Sequence, residues 1–211
     1  MKQKSVYPTE SQGAWHSPNS FLFELVDFEY DAYLKSIKSY EEKELLLKKE
    51  HQDIDPEHQT SLIDYELMSE AFILERSMCY VILTSCLAIE SFLNYYGVKR
   101  LGEEFYKTTL ERRGITEKIK LIAIICFDLK LDSQTEILKT TQRLFEKRNS
   151  LVHPKSKESF KNGELIIPSP ILTSEDITLA NKVLIDFKQW FIENDDSPVT
   201  KSMLRVDENE H

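Results

Sequence analysis

The stretch from Ser61 to Tyr96 constrains the fold more than any other part of this chain. It reads as one long helix, and its second half is apolar nearly all round, which predicts the buried centre of a bundle rather than a surface helix. Gly97 follows and is a natural C-terminal cap. The uninterrupted apolar run inside it, Met78 to Ile89, is about a dozen residues broken by Thr84 and Ser85. That is shorter than the ~20 residues needed to cross a bilayer, so it reads as a core helix.

The rest of the chain supplies partners for such a helix. Leu22, Val26, Tyr30, Tyr33, Ile37 and Tyr40 recur at three- and four-residue steps, one stripe on a long first helix that Ser17-Pro18 can start. His51 to Gln59 reads as the turn. Leu101 to Arg112 predicts a short charged helix, and Thr116 can cap the strongly apolar one after it. Asp128 to Asp132 turns the chain, and Ser133-Gln-Thr-Glu136 has capping-box spacing. Ile137, Leu138, Leu144 and Phe145 then face the core. After a polar loop, in which Leu165-Ile166-Ile167 can pair as an extended segment, Thr173 or Ser174 starts a last helix. Ile177, Ala180, Val183-Leu184, Phe187 and Trp190-Phe191 line its inner side. The expectation is an all-α, single-domain helical bundle of about five to six helices over residues 17–193. Residues 1–16 read as a flexible N-terminal arm and 194–211 as a disordered acidic tail.

Only five glycines and 30% charged residues fit helices better than a sheet protein. Cys79, Cys86 and Cys126 all lie in apolar helical runs, an odd low count that reads as reduced, buried thiols of a cytoplasmic protein. No charged-then-apolar leader opens the chain. The net charge of −9 argues against a non-specific coat for nucleic acid. The charge is unevenly placed, however. Glu24 to Glu75 carries fifteen acids against five lysines, whereas Lys139 to Lys161 carries seven bases against two acids.

That basic stretch contains Glu146-Lys147-Arg148-Asn149-Ser150-Leu151-Val152-His153-Pro154-Lys155. Pro154 disfavours the helical region for His153, so the helix should end there, with Arg148 in its last turns and the histidine at its lip. Histidine titrates near neutrality and can move the protons of RNA cleavage. Arginine keeps its charge and grips phosphate oxygens in pairs. Asn149 adds an amide that can orient either group. The plain alternative is a helix C-terminus decorated with cations that complement its dipole. Ser150 has no histidine–acid arrangement that would make it a nucleophile.

The run Arg148-Asn149-x-x-x-His153 resembles the signature of the HEPN superfamily, whose members are small, helical and often dimeric. The acid-bearing stretch Ala88-Ile89-Glu90-Ser91-Phe92-Leu93-Asn94 also looks like members of this group. The resemblance spans roughly residues 20–193, with only the motif sharp. It implies a metal-independent endoribonuclease, acting as a toxin or anti-phage defence effector on RNA, with no cofactor. It further implies a homodimer whose two copies of Arg148 and His153 line one cleft. Lys147, Lys155 and Lys157 would guide the RNA backbone, and an antitoxin or regulatory protein could accompany it. The superfamily also contains non-catalytic interaction modules, which is the alternative reading.

Glu90 should find a partner if buried, an Arg from elsewhere in the bundle being the natural one, or else reach the rim and meet water. His51 and His58 stand near Asp53, Asp55 and Glu57, but at no recognised ligand spacing, and read as solvent-exposed. Trp15 and Trp190 read as packing residues. No metal site and no glycine-rich phosphate loop is expected.

Overall fold

The computed structural model describes residues 19–153, 159–161, 164–166 and 172–204. The chain is an all-α bundle. Helix α1 runs from Asn19 to Glu50 and turns back into α2, Pro56–Leu101, a helix of 46 residues and roughly 70 Å. A short α3, Glu103–Phe105, leads into a π-helical turn, Tyr106–Leu110. Then come α4, Ile115–Phe127, and α5, Glu136–Val152. A small antiparallel hairpin pairs β1, Ser159–Lys161, with β2, Glu164–Ile166, with Phe160 opposite Leu165. Helices α6, Ser174–Asn194, and α7, Pro198–Leu204, are the last of the described elements.

The core forms where the apolar stripes of α1, α4, α5 and α6 converge on α2. Its centre is aromatic. Phe92 lies 4.7 Å from Phe191 and 5.4 Å from Phe187, both edge-on, while Tyr96 and Phe127 extend the cluster to Trp190. Burying each such ring is worth about 1.5–3 kcal/mol. Trp190 is thus a packing residue, whereas Trp15 lies outside the described residues. A separate small cluster of Leu47, Ile63 and Leu67, with Tyr40 against it, holds the far end of the α1–α2 hairpin.

Several boundaries differ from the sequence expectation, each for a physical reason. Helix α2 begins at Pro56 rather than Ser61, because proline at the first helical position needs no amide partner. It does not stop at Gly97. That glycine is helical and buried because the Tyr106 ring lies against it, where an added Cβ would stand 2.9 Å from the ring. The cap is Gly102, at φ 88°. Helix α4 starts at Ile115, ahead of Thr116, and ends in a left-handed Asp128. Ser133 and Glu136 form no capping box, since Ser133 bonds Asp132 and the N-cap residue is Thr135. The box that does form joins Thr173 and Asp176 at the start of α6.

Two further corrections concern exposure. The second half of α2 is not buried all round, because Tyr80 and Leu87 face outward. The tail reading also fails for residues 198–204, which form α7 with Thr200, Met203 and Leu204 buried. The anchor is Asp195, which accepts hydrogen bonds from Tyr96 (2.7 Å) and Thr200 (3.0 Å) beside Arg100. The N-terminal arm and residues 205–211 lie outside the described residues.

Candidate active site at the end of α5

Helix α5 ends as Pro154 requires. His153 leaves the helical region at φ −125° and ψ 67°, and its amide still bonds the Asn149 carbonyl at 2.9 Å. The imidazole is exposed at the helix lip, and Asn149 and Ser150 are exposed on the last turn. Ser150 donates to the Lys147 carbonyl rather than to any base. Arg148 is half-buried. Its Nη1 donates to the Asn149 side-chain oxygen at 3.1 Å, so the two adjacent residues form one polar unit. No hydrogen bond joins Arg148 to His153 among the described residues.

The inner side of Arg148 faces α2. Cys86, on α2, lies 3.8 Å from the Leu144 carbonyl one turn up α5. Burial pushes the Cys86 thiol up to about 12, against the downward pull of the Arg148 charge and with an upward push from Glu90. The charges of Arg148 and Glu90 thus both reach Cys86 at the α2–α5 seam. They form no ion pair, and of the two expectations for Glu90, an Arg partner or a place at the rim, its partial exposure fits the second.

The cation set among the acids is Lys118 of α4. Only 3% exposed, it donates to the Asn94 side-chain oxygen at 2.7 Å and lies 3.5 Å from the Tyr106 hydroxyl. That hydroxyl donates to the same Asn94 oxygen at 2.7 Å. Burial lowers the Lys118 pKa, and the charges of Glu90 and Glu111 oppose the shift. Glu90 is half-exposed at the edge of this group. Sequence reasoning passed over Lys118, although its place one turn before Ile122 marks it for the buried face.

The expected RNA-guiding lysines fare differently. Lys147 is half-buried, its ammonium 2.9 Å from Asp176, the carboxylate that also takes part in the α6 capping box. Burial pushes the Asp176 pKa upward, but the Lys147 hydrogen bond and the Thr173 amide outweigh it and hold the carboxyl below its usual value. Lys147 thus ties α5 to α6 and would have to leave that pair to hold a phosphate. Lys155 and Lys157 lie outside the described residues.

Elsewhere, His58 is exposed beside Asp55, but His51 is not solvent-exposed as expected. It packs between the first two helices with Nε2 3.1 Å from Glu66. A hollow of about 300 Å³ between α1, α2 and the start of α6 is lined by Tyr33, Tyr40, Glu75 and Met78 among others, away from Arg148 and His153. Among the described residues no three His, Cys, Asp or Glu side chains converge.

Fold and site together define an all-α helical bundle with a polar helix end exposed at its rim. Comparison with known proteins adds no relative, since no family model, no curated protein and no solved structure matches the chain.

Proposed function

We propose that this chain is a metal-independent endoribonuclease of HEPN type, acting in the cytoplasm as a toxin or anti-phage defence effector. The observation that carries the reading is the end of α5, where Arg148 and Asn149 form one hydrogen-bonded unit a turn before an exposed His153. His153 takes the proton of a 2′-hydroxyl, whose oxygen attacks the adjacent phosphorus, or returns a proton to the departing 5′-oxygen. Arg148 neutralises the charge that builds on the phosphate. The products are a cyclic phosphate and a free 5′-hydroxyl. Two chains bring two such helix ends to one cleft, and a partner protein restrains the activity.

Labelled single-stranded and transfer RNAs in EDTA test the proposal. Wild type should cut them, leaving cyclic phosphate ends. His153→Ala should be slower by about 10²–10⁴-fold, as for loss of a general acid or base. Arg148→Ala should lose about 10²–10³-fold, as for loss of one charge-stabilising group. Intact RNA with folded, dimeric wild type would sink the proposal. The remaining reading is then a non-catalytic interaction module, favoured by the engagement of Lys147 with Asp176.

A further inference from the structure

Helix α2 carries a second unexplained feature. By length and composition it could cross a membrane, with an 18-residue window of mean hydropathy 1.6, yet only 44% of that window is buried within the bundle. Within and just before that window runs an outward stripe of Tyr65, Met68, Phe72, Ile73, Tyr80 and Leu87, each 44–72% exposed. Large aromatics offer about 150–250 Å² apiece, so the stripe leaves roughly 600–800 Å² uncovered. That is near the ~800 Å² one partner contributes to a standard interface. It also exceeds what most monomers leave open, a few hundred Å².

The stripe has an internal symmetry. Arg76 stands at its middle, with Phe72 and Tyr80 four residues to either side and Tyr65 and Leu87 eleven to either side. In a straight helix these pairs lie at about 6 and 16 Å from Arg76. A two-fold axis through Arg76 therefore sets Phe72 against Tyr80 and Tyr65 against Leu87 of an antiparallel copy, the self-complementarity that an isologous interface requires. Two Arg76 side chains then meet at the axis. Glu75, next to Arg76 in the chain but about 100° round the helix, is exposed at the flank of the axis rather than on it. Asp64 and Glu75 border the stripe, and the whole chain is acidic, which disfavours an anionic lipid surface as the occupant.

We infer that the exposed face of α2, from Tyr65 to Leu87, is covered by the same face of a second copy, antiparallel about Arg76. The inference deepens the two-chain cleft proposed above, and its relevance to that cleft rests on that reading. The seam beside Arg148 adjoins this helix through Cys86.

Sedimentation equilibrium of the full chain should give twice the chain mass at about 10 µM, and Phe72→Glu, an exposed change, should weaken association by at least ~100-fold. In a Cys79→Ser background, Arg76→Cys should form an interchain disulfide under mild oxidation, whereas Ile185→Cys on α6 and the background alone should not. A monomeric wild type overturns the inference, as does a dimer insensitive to Phe72→Glu or an uncrosslinked Arg76→Cys. So does wild type that floats with phosphatidylcholine vesicles as a monomer, which would assign the face to lipid. Dimers that leave RNA intact would sink the ribonuclease reading alone, whereas a monomer that cuts RNA would sink this inference and the two-chain cleft but leave the cleavage chemistry of Arg148 and His153 standing.

Discussion

Lys118 shows how one residue is accommodated where its charge is unwelcome. Among the described residues its ammonium has no carboxylate within ion-pair distance, only Asn94 and the Tyr106 hydroxyl. Asn94 keeps the Tyr106 hydrogen bond if the lysine goes. Replacing Lys118 with methionine should therefore change stability by less than about 1 kcal/mol, or raise it, because a buried charge gives way to apolar volume without orphaning its acceptor. Asn94→Leu should cost about 2–4 kcal/mol, since it strands the ammonium and the hydroxyl together. The linkage has a definite sign. The folded pKa of Lys118 lies below its unfolded 10.5, so the unfolded chain binds more protons between the two values and stability rises with pH there. Tyr106, raised to about 12 by burial, and Cys86 act in the opposite sense above about pH 9–10. The measurement is therefore the difference between wild type and Lys118→Met in urea melts at neutral and alkaline pH. The stability of Lys118→Met relative to wild type should fall as pH rises, and a difference independent of pH would refute the account.

At the scale of elements, the instructive case is α7. Its residues follow an acidic, polar stretch, and composition alone assigns them to a solvated tail. In the fold, Met203 and Leu204 reach the core shared by the other helices, and Thr200 completes the group around Asp195. Truncation after Ser197 should lower the unfolding free energy by about 2–4 kcal/mol, the usual cost of emptying a buried leucine-sized site. Asp195→Ala should produce part of the same loss, because Tyr96 and Thr200 lose their common acceptor. Equal melting of full-length and truncated chains would show α7 to be idle. The π-helical turn after α3 belongs to this scale as well. It accompanies Gly97, whose missing side chain lets the Tyr106 ring sit against α2.

The molecule as a whole is unevenly secured. Around Phe92, Phe187 and Phe191 the helices share one continuous core. The far end of the α1–α2 hairpin relies on Leu47, Ile63 and Leu67, the Lys43–Glu70 pair and His51 against Glu66. Exposed or half-exposed pairs of this kind are screened by solvent and add little to stability. Amides between about residues 40 and 67 should therefore exchange with solvent well before those of 85–97, through local opening rather than global unfolding. Hydrogen exchange read by mass spectrometry checks this. Uniform protection along both helices would show that the hairpin opens only with the whole bundle.

The sequence by itself determined the helical class, the stripes of α1 and α6 and the stop at His153. Each depends on local rules: helical periodicity, capping and the steric demand of Pro154. Arg148, Asn149 and His153 could be singled out as candidates from their spacing and the family resemblance it carries, and Glu90 as a carboxylate on an apolar helix. What surrounds them could not. The pairing of Lys147 with Asp176 spans 29 residues, and Lys118 reaches Asn94 across 24. Such contacts depend on how helices pack, which no local pattern encodes. The tertiary structure likewise decided that Gly97 lies within a helix, that residues 198–204 join the core, and that α2 leaves one face uncovered. An apolar residue marks a surface that prefers to leave water, but only packing decides which neighbour, if any, covers it.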